Sequence, residues 1–322
     1  MKFFTKTTFL LRKAINKVYL PGGFKVWVTL FSLSFVGYNI WLNSSSLFEI
    51  SLGKLAFFWL ILSLLFSLFS LFLNAFAWRA LLAWLGYISS EINLIPLFLS
   101  SNLLKYLPGG IWHFVERVRV LKNYIGPGKA LSSVLLEPLL MSAAALAWVP
   151  LGGWQSGIGL LCIFPSFLFI RRFREPLLRR LERTKVKQIK KIALETEMSS
   201  TINLIVLGKD DYPFKAFSIE MLFVLMRYLG FWCCVNAFSL QTNITFLDCL
   251  ASFSLAWTIG LVVPAAPGGV GVFETALLIR IGSSIPEAPL LAVLISYRLI
   301  ASLSDLLAAS GVALSRNSFV KK

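Results

Sequence analysis

The chain has 322 residues, of which 57% are hydrophobic and only 14% charged, and its net charge is +16. A soluble protein of this composition would have too little polar surface to cover itself, and several apolar runs reach the roughly 20 residues that cross a bilayer. The sequence therefore reads as a polytopic membrane protein. Its basic residues lie between the apolar runs, which fits cytoplasmic loops and anionic headgroups; no basic-aromatic module for nucleic acid is present. With one histidine and four cysteines lacking C-x-x-C spacing, no metal site or cofactor is expected. Cys162, Cys233, Cys234 and Cys249 read as small buried hydrophobes.

Residues 1–24 form a basic arm for the membrane surface. A first span over 26–42 follows, with Trp27 and Trp41 as interface anchors, and it is too long for a signal peptide. An uncharged-to-acidic outer loop and a second span over 55–77 come next. The apolar run 92–106 is too short to cross and stops at Pro108-Gly109-Gly110, so it is expected to dip in from the cytoplasm and return. Residues 130–149 cross outward and 158–170 come back. The basic loop and linker at 171–212 is cytoplasmic by the positive-inside rule. Residues 214–240 cross outward, 246–263 enter from outside and break, 273–281 return, and 289–314 cross inward. The expected fold is all-α and polytopic, with about six full spans and two re-entrant broken-helix elements. It divides into a first membrane half at 25–170, a second at 213–315 and a tail at 316–322, with both termini cytoplasmic in the cell inner (plasma) membrane.

The second break is the stretch Val263-Pro264-Ala265-Ala266-Pro267-Gly268-Gly269-Val270-Gly271-Val272-Phe273-Glu274. Proline removes a backbone donor and glycine costs about 1 kcal/mol against alanine in a helix, so a continuous helix is not expected here. At membrane depth such a break survives only when buried in protein or facing a wet cavity. Placing Pro108 on Pro267 also aligns Gly109, Gly110 and Phe114 with Gly268, Gly269 and Phe273. Each half then reads as span, broken element, span, in opposed orientation, which is the inverted-repeat pattern of secondary transporters. Helix N-termini after Gly109, Gly110, Gly268, Gly269 and Gly271 would present N–H groups and a positive dipole end to an anion such as phosphate. Close helix packing by small residues is the alternative reading of the same glycines.

Six charges fall inside the apolar segments: Glu137, Glu220, Arg227, Glu274, Arg298 and Asp305. Glu220 and Arg227 share a helix face, as do Arg298 and Asp305, but seven residues span about 10 Å of helix, too far for a direct salt bridge. Each is expected to seek a partner on another helix, either as a structural network or around a bound anion. His113 reads as an interfacial hydrogen-bonding residue more readily than as a proton shuttle. No nucleophile with its base is present, nor a phosphate-cradling G-x-x-x-x-G-K-[ST] loop.

Pro267-Gly268-Gly269-Val270-Gly271-Val272-Phe273-Glu274 with Tyr297-Arg298-Leu299 downstream resembles the signature of the lysylphosphatidylglycerol synthase transmembrane-region family. Pro108-Gly109-Gly110 with Arg117 and Val134-Leu135-Leu136-Glu137 is similar to that family's other region. Where the family pattern carries an arginine after the glutamate and an aspartate soon after it, this chain has Pro138 and Met141. The resemblance implies movement of a phospholipid or other lipid-linked anion between leaflets, with membrane lipids, in particular anionic phospholipid, as partners. On this reading Pro108, Gly109, Gly110, Arg117, Glu137, Arg227, Pro267, Gly268, Gly269, Gly271, Glu274, Arg298 and Asp305 contact substrate. No aminoacyl-transfer domain is expected, since the chain ends just after its last span. Two rivals are a membrane-embedded transferase with Glu116 as base, and an assembly subunit for a partner transferase.

Overall fold

The computed structural model describes residues 53–87, 92–106, 111–152, 162–170, 172, 211–238, 244–262, 271–282, 284–285 and 287–320. The expected basic arm, first span, basic loop and both proline-glycine turns (107–110 and 263–270) lie outside the described residues. Eight α-helices and no strand occur among the described residues. They are α1 (Lys54–Trp84), α2 (Leu94–Asn102), α3 (Trp112–Ile125), α4 (Pro127–Leu146), α5 (Phe214–Ala237), α6 (Phe246–Val262), α7 (Val272–Ile281) and α8 (Glu287–Val320). The helices α1, α5 and α8, and the stretch Pro127–Gly152 that contains α4, are long and apolar enough to cross a bilayer.

Helix α1 is built inside out relative to a soluble helix. Phe58, Ile61, Leu65, Phe69, Phe72 and Phe76, three or four residues apart, are exposed. The opposite face buries Ala56 and, one heptad on, Ser63, Ser67, Ser70, Asn74, Ala77 and Leu81, which alternate by four and three. Lipid is as apolar as leucine, so helix association in a membrane rests on close backbone approach and interhelical polar contacts, and small residues collect at the contact. Its partner α5 presents a matching row: Ala216, Glu220, Phe223, Arg227, Gly230, Cys234 and Ala237, all buried. Both rows keep the heptad spacing that holds a seam on one face along paired helices. Ser63 Oγ donates to the Gly230 carbonyl at 2.7 Å, and Trp84 Nε1 donates to the Asp211 carbonyl at 3.0 Å. These two contacts make the pair antiparallel and fix its register. Glu220 and Arg227 do share one face, and that face meets α1.

Helices α3 and α4 form a tight hairpin. Gly126 adopts φ 77°, which a side chain would strain, and Pro127 follows at the first position of α4, where its missing N–H costs nothing. The remaining contacts follow a pattern. α1 packs on α8 while α5 packs on α4, and α2 packs on α8 while α6 packs on α4. Within the halves, α2 meets α3 as α6 meets α7, and α3 meets α4 as α7 meets α8. Exchanging α1–α4 for α5–α8 maps each of these contacts onto another. Two large apolar clusters lie mainly one in each half, the first around Trp78, Phe98, Leu121 and Leu131 with Ala308 of α8, the second containing Phe231, Phe253, Phe273 and Tyr297, and two smaller clusters join α4 to α5. The two halves are therefore joined mainly through the α1–α5 seam and the closing helices α4 and α8.

A Cβ on Gly230 would lie 3.3 Å from the Ser63 carbonyl and 3.1 Å from Ser67 Oγ. Gly230→Leu is expected to force the seam apart and cost about 1–3 kcal/mol, the range for overpacking. Ser63→Ala removes one interhelical hydrogen bond and is expected to cost only about 0.6 kcal/mol. Thermal unfolding of the two variants in detergent checks this ranking.

Candidate functional site

Helix α2 ends at Asn102 and tightens into a 3₁₀ turn, Leu103–Tyr106, immediately before the first proline-glycine stretch. Three residues per turn put Asn102 and Lys105 on one side, with Tyr106 next to them. All three converge on Asp305 of α8. Asn102 Nδ2 donates at 2.8 Å, Tyr106 Oη at 2.6 Å, and Lys105 Nζ pairs at 2.7 Å. A carboxylate fully removed from water thus has its charge and both oxygens satisfied, as burial in an apolar surrounding demands.

One heptad earlier on α8, Arg298 performs the converse task for the second half. Its Nε donates to Glu274 Oε1, and the guanidinium lies 4.9 Å from the centre of the Phe273 ring. Glu274 Oε2 accepts the N–H of Gly271 at 2.7 Å. Gly271, with φ 85°, caps the start of α7, and Glu274 three residues on reaches back to it as the acidic half of a capping box. This revises one expectation: the Gly271 N–H is taken by the chain's own carboxylate rather than presented to an incoming anion. A cation of α8 therefore holds the segment after the second break, and an anion of α8 holds the segment before the first.

Between them sits Arg227 of α5. It is buried, its guanidinium 5.8 Å from the Phe223 ring centre and 5.9 Å from that of Trp257. Its Nε has no hydrogen-bond partner among the described residues. Its charge acts on Asp305, Lys105 and Tyr297, and Lys105 also feels Arg298. Lys105, Arg227 and Arg298 face Glu274 and Asp305, which leaves a surplus of one positive charge among these groups. The accessible members are two of the three cations: the side chains of Lys105 and Arg298 are 23% and 26% accessible, against 1% for Asp305 and 8% for Glu274.

Arg117 and Glu137 form a separate buried pair linking α3 to α4. Arg117 Nη1 meets Glu137 Oε2 at 2.6 Å, and Arg117 Nε donates to Ser101 Oγ at 3.0 Å. The guanidinium stacks 3.8 Å from the Phe98 ring centre and 5.2 Å from that of Trp78. Glu137 thus finds its arginine on the preceding helix, where the resemblance led one to look for it next in sequence. The two half-chains carry opposite polarity in this respect, cation on α3 and anion on α4, but anion on α7 and cation on α8. Pro108, Gly109, Gly110, Pro267, Gly268 and Gly269 lie outside the described residues. Glu116 is half-exposed and 4.0 Å from Arg119, and the Nδ1 of His113 is buried without a partner among the described residues. Neither has the geometry of a base beside a nucleophile. No cluster of three potential metal ligands occurs among the described residues.

Sequence reasoning passed over Lys105, Asn102, Tyr106 and Ser101. Lys105 carried a usable signal, a lone cation within an apolar run just before a helix break. The polar contacts of Asn102 and Ser101 depend on distant partners and had no local signature.

Removing one partner of a buried ion pair strands the other, at a cost of about 3–5 kcal/mol. Arg117→Met is expected to lower stability by that amount, and the double variant Arg117→Met/Glu137→Met to recover most of it. Unfolding midpoints of the single and double variants in detergent measure both effects.

No match to a curated protein is found. The long lipid-facing helices, the buried ion pairs and the segments flanking two proline-glycine stretches are the features of an integral, multi-pass membrane protein. The model of the family described as "Lysylphosphatidylglycerol synthase TM region" matches residues 26–309, and the chain belongs to that family.

Proposed function

We propose that this protein moves an anionic phospholipid, or another lipid-linked anion, between the leaflets of the cell inner membrane. The observation that carries the reading is the double attachment of α8: Asp305 to the segment before the first break and Arg298 to the segment after the second. A phosphate approaching this region meets Lys105 and Arg298, the accessible cations, and competes for them with Asp305 and Glu274. Because the cluster carries one surplus positive charge, a single phosphodiester neutralises it, whereas at membrane depth an uncompensated charge is costly. Losing Lys105 or Glu274 as a partner loosens the segment on one side of α8, where Asn102 and Tyr106 alone would then hold Asp305, while the other stays attached. Alternate release of the two segments is the alternating access that the exchange-symmetric packing supports.

On this reading the two halves are an inverted repeat, and 92–106 and 246–263 with their breaks are re-entrant elements entering from opposite faces. The basic residues crowded between 171 and 191 support a cytoplasmic position for that loop and, on this reading, for both termini. The family's description, a lysylphosphatidylglycerol synthase region, supports a phospholipid as cargo.

A leaflet assay with labelled anionic phospholipid in proteoliposomes tests this. A charged hydrogen bond contributes about 1.5–3 kcal/mol, so Lys105→Met and Arg298→Met are each expected to slow transfer about ten- to hundredfold. The charge-swapped variant Glu274→Arg/Arg298→Glu, which keeps an ion pair but relocates the cation, is expected to fold and to remain slow. Transfer at the unmodified rate in both single variants overturns the reading.

A further inference from the structure

A second polar cluster takes no part in the exchange of partners at α8 proposed above, although the family resemblance counts Arg117 and Glu137 among the substrate contacts. It gathers Arg117 of α3, Glu137 of α4, Glu220 of α5 and Trp78 of α1. Glu220 is 1% exposed, its Oε2 has no hydrogen-bond partner among the described residues, and the charge that acts on it is that of Glu137, of the same sign. Arg117 Nη1 is committed to Glu137 while its Nη2 has no partner among the described residues. Trp78, whose ring lies beside Arg117, also has an unpartnered Nε1. The antiparallel register set by Ser63–Gly230 and Trp84–Asp211 brings Asn74 level with Glu220, and Asn74 Oδ1 is again unpartnered among the described residues. Buried polar atoms are normally satisfied, so this concentration of orphans within one cluster calls for an explanation.

Charge supplies one. Two carboxylates, Glu137 and Glu220, act on one another, and the guanidinium of the cluster, Arg117, is bound to Glu137. Two neighbouring carboxylates in an apolar interior do not both ionise against one cation. The remaining neighbours of α5 do not change this count. α1 offers the neutral Asn74, Ser70 and Trp78. α6 offers Trp257 and Thr258, while Arg298, Asp305 and Tyr297 of α8 belong to the Arg227 end of the seam, one heptad away. We propose that Glu220 is a proton-binding site, holding one exchangeable proton beside the neutral Arg117–Glu137 ion pair. With the proton on Glu220, Arg117 serves Glu137 alone. When the carboxylic O–H breaks and the proton passes to water, the new carboxylate competes with Glu137 for the spare Nη2–H of Arg117. Arg117 and Glu137 belong to the first half and Glu220 to the second, so the proton's arrival or departure alters the attraction between the halves.

Infrared difference spectra of the full chain in lipid vesicles, recorded across a pH titration in water and in heavy water, test the proposal without any transported lipid. A failed leaflet assay and a failed proton site are therefore separate results. The expected outcome is a protonated-carboxyl C=O band that shifts on deuteration, disappears as pH rises and is absent in Glu220→Gln, but present in Glu274→Gln. An amide replaces a neutral acid closely, so Glu220→Gln should fold. Should it not, Glu220→Asp is expected to move the band without removing it. A band that survives in Glu220→Gln, one that vanishes in Glu137→Gln alone, or no titrating band at all overturns the assignment.

Discussion

Helix α8 carries an arginine and an aspartate one heptad apart, and a different half of the chain answers each of them. The spacing, about 10 Å along the axis, is too long for Arg298 and Asp305 to neutralise one another. Neither can be left alone at membrane depth. The segment before the first glycine-rich stretch must therefore come to Asp305, and the segment after the second must come to Arg298. This electrostatic requirement positions the segment before the first stretch and the segment after the second against one helix, α8, and the rest of the architecture accommodates it.

The α1–α5 seam shows how that accommodation works. Serines, glycine, alanines and a cysteine let the two helices approach until Ser63 reaches a carbonyl of α5. Such a hydrogen bond in a membrane is worth about 0.6 kcal/mol, several times less than the cost of breaking a buried ion pair. The seam therefore permits the approach, while the ion pairs decide where the shorter helices lie. Opposed polarity in the pairs α3–α4 and α7–α8 follows the same logic: each short helix after a break is tied to the long helix that follows it. A network of a few strong, discrete pairs is also easier to rearrange than a continuous apolar core, because exchanging one partner for another keeps every charge compensated.

Much of the helical framework was legible in the sequence because its signal is long. The run predicted over 55–77 is a helix that continues to Trp84, and those over 130–149, 214–240 and 289–314 coincide with α4, α5 and α8 to within a few residues, except at the C-terminus of α8. The extension of α1 past Arg79 follows from contacts that hydropathy does not record, above all the Trp84 bond to Asp211. The entry into α7 through Gly271 was legible for a local reason, since glycine acts on the backbone where it stands. Pairings were not. Glu274 with Arg298 and Glu137 with Arg117 involve spacings of 24 and 20 residues across a turn, which no helical period specifies. Lys105 was passed over because it lies near the end of its run, where a lysine ordinarily reaches water. The Gly271 N–H was read as available to a ligand, since nothing in a sequence says whether a glutamate three residues on turns back to cap its own helix.

The most direct measurement places single cysteines at the two turns, Gly109→Cys and Gly268→Cys, in a chain whose four native cysteines have been replaced. Each is then labelled with a membrane-impermeant thiol reagent added to one side of sealed vesicles, with and without anionic phospholipid. The account predicts labelling from opposite sides, and protection of both positions by the same lipid. Labelling of both from one side, or rates that the lipid leaves unchanged at both, contradicts it.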